Sequence, residues 1–245
     1  GNASGITSTT GSSNSSFGIY CGGNGGATAT DAPTAITSVT TNTAPSGTTI
    51  NNLTIDNNTI NQCARAIVFN GAVATVAPGT TTITNNLIGD QAGSPSGTPP
   101  YTTPATTVYT KGIWMNGLTT GTVTGNTIKN VLSYIGTTIT AIETVGAIGG
   151  AMNISNNTIT NIVNNASSAC NGIQLASATT TYTLSGNIIT NVRANSSSCS
   201  GITSSTTATS ATISLNKITT VRSHSTGGVR ACGITIAAGN AVTIQ

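Results

Sequence analysis

The chain has 245 residues, of which 36% are hydrophobic and only 4% charged, with a formal net charge of +3. An ordinary globular domain carries about 25% charged residues; here Thr, Ser, Asn and Gly take their place. The small net charge without a basic run excludes an electrostatic nucleic-acid footprint, and no apolar stretch approaches the roughly 18 residues that span a bilayer.

The first 49 residues are irregular. "GITS" (5–8) and "GIYC" (18–21) open the chain, and the Gly- and Thr-rich stretch 22–49 reads as an edge coil with a long loop. From residue 50 a line recurs: "TIDNNTIN" (54–61), "TITNNLIG" (82–89), "TVTGNTIK" (122–129), "NISNNTIT" (153–160), "TLSGNIIT" (183–190) and "TISLNKIT" (212–219). The shared form is Thr, apolar, x, x, Asn, x, Ile. Its anchors are Asn58, Asn86, Asn126, Asn157, Asn187 and Asn216, spaced by subtraction 28, 40, 31, 30 and 29 residues apart. A second element lies between these lines: "AIVF" (66–69), "GIWM" (112–115), "AIET" (141–144), "GIQL" (172–175), "GITS" (201–204) and "GITI" (233–236). A third apolar position follows the Asn-x-Ile step at Val131, Ile162, Val192 and Val221.

Thr, Ile and Val favour strands, whereas Asn and Gly favour corners. Ile154 and Ile159 are five apart, a spacing that fits neither strand nor helix periodicity. A corner at Asn156-Asn157 resolves this, because residues in a bend drop out of the alternation and both isoleucines then point inward. Asn and Gly tolerate the left-handed backbone of such a corner, and asparagines stacked on successive coils can hydrogen-bond as a ladder. In "SLNK", Leu215 replaces the usual Asn or Gly. The spacing therefore predicts an all-β fold, a right-handed parallel β-helix with about 30 residues and three short strands per coil. We expect roughly seven or eight coils, a rod of about 35 to 40 Å at the normal strand spacing. The chain reads as a single domain, 1–245, regular over 50–245. A loop at 89–111 contains Pro95, Pro99, Pro100 and Pro104; prolines cannot donate to an interior ladder, so this segment should bulge from the rod. The termini read like mid-repeat sequence, so the expectation is a fragment of a longer chain.

This pattern resembles the right-handed parallel β-helix superfamily, which includes pectate lyases, phage tailspikes and bacterial surface proteins. The Thr/Asn-rich, charge-poor style is similar to repeat regions of giant secreted adhesins, including those of Bacteroidota. The resemblance implies a secreted, cell-surface protein. Its expected partners are flanking domains of the same chain or identical subunits of a filament, together with a surface glycan or receptor. No membrane insertion is expected.

Enzymes of that superfamily use clustered carboxylates, and glycosidases need two carboxyl groups roughly 5 to 10 Å apart. The four acids here, Asp31, Asp56, Asp90 and Glu143, fall on different repeat offsets. No catalytic residue, metal site or cofactor is expected: calcium wants several oxygen ligands, and His224 has no nearby acid for a triad. Arg193 and Arg222 should stack on adjacent coils near Lys217, His224 and Arg230, either as a small anion site or as spaced solubilising charge. The residue after each "GI" should face outward: Tyr20, Val68, Trp114, Glu143, Gln174, Thr203 and Thr235. A ligand-binding patch would then use Trp114 with Tyr101 and Tyr109; the competing reading buries Trp114 under the loop. Of five cysteines, Cys170 and Cys199 each sit three residues before an equivalent Ile and are a candidate disulfide, whereas Cys232 is one step off that register.

The function these readings favour is a non-enzymatic structural or adhesive segment of a secreted bacterial filament. The alternatives are an ice-binding Thr-rich solenoid and a polysaccharide-binding or depolymerising tailspike-like protein. Against the former, Thr-x-Thr pieces such as "ATAT" (27–30) and "TTTIT" (80–84) do not recur on one offset, as a flat threonine array requires.

Overall fold

The computed structural model describes residues 17–22, 52–70, 80–91, 108–133, 136–176, 179–205, 208–225, 227–238 and 241–245. The proline-rich stretch 92–107 and nearly all of 1–49 lie outside the described residues, as do Tyr101 and Asp31. Every regular element described is a strand, and every strand pair is parallel. The chain is a parallel β-solenoid of about 30 residues per turn, built from three stacked sheets.

Sheet 1 carries the Thr-apolar line: β2 (Leu53–Asp56), β5 (Thr80–Thr84), β8 (Thr120–Thr124), the second half of β10 (Ile139–Ser155), β13 (Thr179–Ser185), β16 (Ser210–Ser214) and β19 (Val242–Ile244). Sheet 2 follows the asparagine corner: β3 (Thr59–Ile60), β6 (Leu87–Ile88), β9 (Thr127–Ser133), β11 (Thr158–Asn164), β14 (Ile188–Ala194) and β17 (Lys217–Ser223). Sheet 3 carries the Gly-Ile line: β1 (Phe17–Gly22), β4 (Cys63–Asn70), β7 (Val108–Leu118), the first half of β10, β12 (Cys170–Leu175), β15 (Cys199–Ser204) and β18 (Ala231–Ile236). Strand β10 bends from sheet 3 into sheet 1 without a break in its 17 residues.

The expected seven or eight coils are too many for what is described. From Asn58 to Asn216 the rod makes about five turns, roughly 24 Å at about 4.8 Å per rung.

Three isoleucine-rich columns fill the interior. Sheet 1 contributes Ile55, Ile83, Val123, Ile154, Leu184 and Ile213; sheet 2 contributes Ile60, Ile88, Ile128, Ile159 and Ile189; sheet 3 contributes Ile67, Ile113, Ile142, Ile173 and Ile202. All are buried in one continuous core. A fully buried aliphatic side chain stabilises by roughly 1.5–3 kcal/mol relative to exposure, so the columns supply most of the driving force. Before the sheet 3 isoleucines of the inner rungs the chain carries Gly or Ala, and the neighbouring stack leaves Gly18, Gly112, Gly172 and Gly201 no room for a Cβ. A Cβ added at Gly172 would lie 2.5 Å from the Gly201 carbonyl oxygen and 2.8 Å from Ile189 Cγ2.

The corner between sheets 1 and 2 is two residues long. The first adopts left-handed backbone: Asn57, Asn85, Gly125, Asn156, Gly186 and Leu215 have φ between 53° and 66°. The second is the anchor asparagine. A further left-handed residue bends sheet 2 before its second inward position, at Asn130, Asn161, Asn191 and Thr220, with φ of 60°, 59°, 63° and 56°. Val131, Ile162, Val192 and Val221 thereby turn toward the core in register.

Candidate functional site

The anchor asparagines line one corner of the rod. At each step the backbone N–H and Nδ2 of one Asn donate to Oδ1 of the next. Asn126 N and Nδ2 reach Asn157 Oδ1 at 3.0 Å each, and Asn157 repeats this to Asn187 at 3.1 and 3.0 Å. The same bonds join Asn58 to Asn86, Asn86 to Asn126 and Asn187 to Asn216. Each interior Nδ2 also donates to a core carbonyl one rung back, such as Val123 O from Asn157 at 2.9 Å. The four interior members, Asn86, Asn126, Asn157 and Asn187, have no exposed surface. A second, shorter ladder runs in the opposite sense along sheet 2. Asn161 Nδ2 donates back to Asn130 Oδ1 at 2.9 Å, and Asn191 Nδ2 to Asn161 Oδ1 at 2.6 Å.

The outer side of sheet 3 holds the residues after each "GI" in one register row: Tyr20, Val68, Trp114, Glu143, Gln174, Thr203 and Thr235. Their exposure is not what outward pointing implies. Trp114 is only 3% exposed and packs on Val68, with Phe17, Tyr20 and Val145 against the pair. A second apolar cluster on the outside of the sheet therefore removes the indole from solvent, and Trp114 offers no free face for a sugar ring. Tyr109 is half-buried on β7, and Tyr101 lies outside the described residues.

Beside that cluster sits a charged group that the sequence reading missed. Lys111 Nζ lies 2.6 Å from Glu143 Oε2 with both side chains 10% exposed, and it donates to Thr140 Oγ1 at 3.2 Å. Arg65 occupies the rung before Lys111. Burial pushes the Lys111 amine down from its ordinary value, and the Glu143 carboxylate opposes that shift; Arg65 behaves alike. Beyond Glu143 the row continues as a polar network, in which Asn171 Nδ2 donates to Gln174 Oε1 at 2.8 Å and Thr203 Oγ1 to Asn171 Oδ1 at 3.2 Å. The signal lay in the register: Lys111 stands two before an equivalent isoleucine and Glu143 one after, on adjacent rungs. Offsets compared within one face hid the pair.

The other acids stand apart. Asp56 is exposed and accepts from Thr84 Oγ1 at 2.7 Å and Asn85 Nδ2 at 3.0 Å, which holds its carboxyl below the ordinary value. Asp90 offers its backbone oxygen to Asn130 Nδ2 at 2.6 Å. Among the described residues, no group of three or more His, Cys, Asp or Glu could hold a metal ion. Arg193 and Arg222 are register partners on sheet 2, and Lys217, His224 and Arg230 are exposed nearby in sequence.

All five cysteines are free, so the candidate Cys170–Cys199 disulfide is not formed. The two are register partners on β12 and β15. Their side chains project in parallel, so their Cβ atoms are separated by about one rung, 4.8 Å. A disulfide needs about 3.5–4.5 Å between Cβ atoms. The Cys170 thiol instead donates to the Ile162 carbonyl at 2.9 Å. Burial raises the Cys63 and Cys199 thiols to about 11 and Cys170 well above its ordinary value.

The Thr-x-Thr pieces are not expected to recur on one offset; on the outer side of sheet 1 threonines do share one, whereas the piece at 27–30 lies outside the described residues. Thr54, Thr82, Thr122, Asn153, Thr183, Thr212 and Thr243 form one in-register column. Two residues on, Thr84, Thr124, Ser155, Ser185 and Ser214 form a second. Two residues before, Thr80 faces Thr120 and Thr181 faces Ser210. Unequal sequence spacing separates the threonine lines, and the strand register aligns those among the described residues. No family model, curated protein or solved structure matches this chain.

Proposed function

We propose that this chain is a non-enzymatic structural segment of a secreted, adhesive filament at a bacterial surface. The observation that carries the reading is the periodic build: three parallel sheets stacked in register around one core and pinned along a corner by the asparagine ladder. Such a body extends by adding coils and bears load along its length through many equivalent backbone bonds. Charge scarcity fits a rod whose faces are hydroxyl and amide. We further propose a right-handed coil, as in the pectate-lyase-like superfamily, because crossovers between parallel strands of one sheet are right-handed in about 98% of cases. Flanking coils or identical subunits would be its neighbours, and a surface glycan or receptor its target. Antibodies raised against the purified chain test this on source cells. Immunogold labelling along extracellular filaments, with antibody fragments blocking attachment, is the expected result. Labelling confined to the cell interior would overturn the reading.

A further inference from the structure

We propose that the outer side of sheet 1 is an ice-binding face. The proposal stands apart from the filament reading and rests on different residues. The central column is threonine at six of its seven rungs, Asn153 being the exception. Its rungs are about 4.8 Å apart, and the hydroxyl columns on either side lie two residues away, about 6.7 Å along the strand. The result is a two-dimensional grid of mostly hydroxyl groups, broken at one rung by Ala151 and Asn153, with both repeats on the scale of the oxygen spacings in ice.

Three features make the grid suited to lattice water. Threonine presents a methyl beside its hydroxyl, so one group excludes bulk water while the other anchors a hydrogen-bonded one. Its β-branched side chain is stiff at χ1, so little freedom is lost when water orders against it. The sheet is pinned along its edge by the asparagine ladder, and side-chain ladders are what hold stacked sheets flat. The face is accessible: Thr54, Thr183 and Thr243 are exposed, and Thr82, Thr122 and Thr212 are half-buried by their rung neighbours. Edge hydroxyls are tied along the rod, Thr120 Oγ1 to Thr80 Oγ1 and Ser155 Oγ to Thr124 Oγ1 at 3.3 Å each. Asp56, at the first rung, is the one charged group in these columns.

A crystalline polysaccharide is the competing solid surface. Sugar rings favour exposed aromatic platforms, and the single tryptophan is buried against sheet 3. The grid therefore favours water over glycan.

The test is thermal hysteresis and ice-recrystallisation inhibition by the purified full chain. Alongside it run the double variant Thr122→Tyr with Thr183→Tyr, and Thr160→Tyr on sheet 2 as control. Circular dichroism melts establish that all three fold alike. The parent and the control should shape and inhibit ice, and the double variant should lose activity roughly tenfold, as expected when anchors at the centre of an interface are spoiled. A milder pair, Thr122→Val and Thr183→Val, keeps the methyl groups and serves if the tyrosines unfold the chain; a clear loss is again expected. No activity from the parent at high concentration overturns the proposal, as does equal activity in parent and folded variants. Binding to insoluble cellulose or chitin without any effect on ice overturns it in favour of the polysaccharide.

Discussion

Asn157→Ala removes a fully buried carboxamide from the middle of the ladder, and its cost can be worked from the bonds. Four side-chain bonds disappear: Asn157 Nδ2 to Asn187 Oδ1, to Val123 O and to Ser155 O, and Asn126 Nδ2 to Asn157 Oδ1. Each contributes about 0.5–1.5 kcal/mol net. The buried Asn126 N–H also loses its acceptor, and an orphaned donor costs about 1–3 kcal/mol. Together these give about 3–9 kcal/mol, or at least roughly 6 °C in melting temperature for a chain of this size. Asn58→Ala provides the internal control. No rung before Asn58 donates to its Oδ1 among the described residues, and Asn58 is partly exposed, so its loss should cost about 1 kcal/mol. Urea titrations followed by circular dichroism, with exchange of the Asn126 amide by NMR, measure both. A cost below about 1 kcal/mol for Asn157→Ala, or equal costs at the two sites, would refute the assignment of the ladder as the spine of the rod.

Four further outcomes follow from the same geometry. Thr220→Asn should stabilise by about 1–2 kcal/mol in a thermal melt: it replaces a β-branched residue at positive φ and supplies a donor to Asn191 Oδ1, which is buried without a partner. Leu215→Asn should raise the melting temperature by about 2–4 °C, since an 82% exposed leucine loses little burial and its left-handed backbone is relieved. In the folded chain Cys21 and Cys232 should react with a thiol reagent well before Cys63, Cys170 and Cys199, which are buried and held protonated at neutral pH; equal rates by peptide mass mapping would contradict this. Asp56 has a folded pKa below its ordinary 3.8, so its contribution to stability is present above that pH and lost as pH falls below it. Asp56→Asn should therefore flatten the acid limb of stability against pH below that value.

The coil was legible because its grammar is local. The inward isoleucines of the three columns lie at a fixed offset from an anchor Asn or directly after a Gly or Ala, and a left-handed corner has few residue choices. The alternation of Asn and Gly at positions 85, 125, 156 and 186 makes the point. A Cβ on Gly125 would meet Asn85 Oδ1 at 2.7 Å, and one on Gly186 would meet Asn156 Oδ1 at 2.4 Å, so an asparagine leans over the glycine of the next rung. The outer surfaces were harder to read, because they depend on which rungs meet. Lys111 and Glu143 sit on different offsets yet pair across adjacent rungs, and Trp114 points outward yet is covered by a cluster assembled from β1, β4, β7 and β10. The threonine column was visible as the first letter of five of the six aligned lines. Attention to dense Thr-x-Thr runs, rather than to one threonine per turn, obscured it. Cysteine pairing failed for a geometric reason: register partners in a parallel sheet hold their Cβ atoms one rung apart.

The register itself is the claim on which everything else depends, and one distance tests it. Spin labels placed through non-cysteine attachment at Thr54 and Thr212 would sit at two rungs of the threonine column, five steps apart. Double electron–electron resonance should give one narrow distribution centred at about 24 Å between attachment points, after allowance for the label arms. A broad distribution, or a mean displaced by more than about two rungs, roughly 10 Å, would contradict the in-register solenoid.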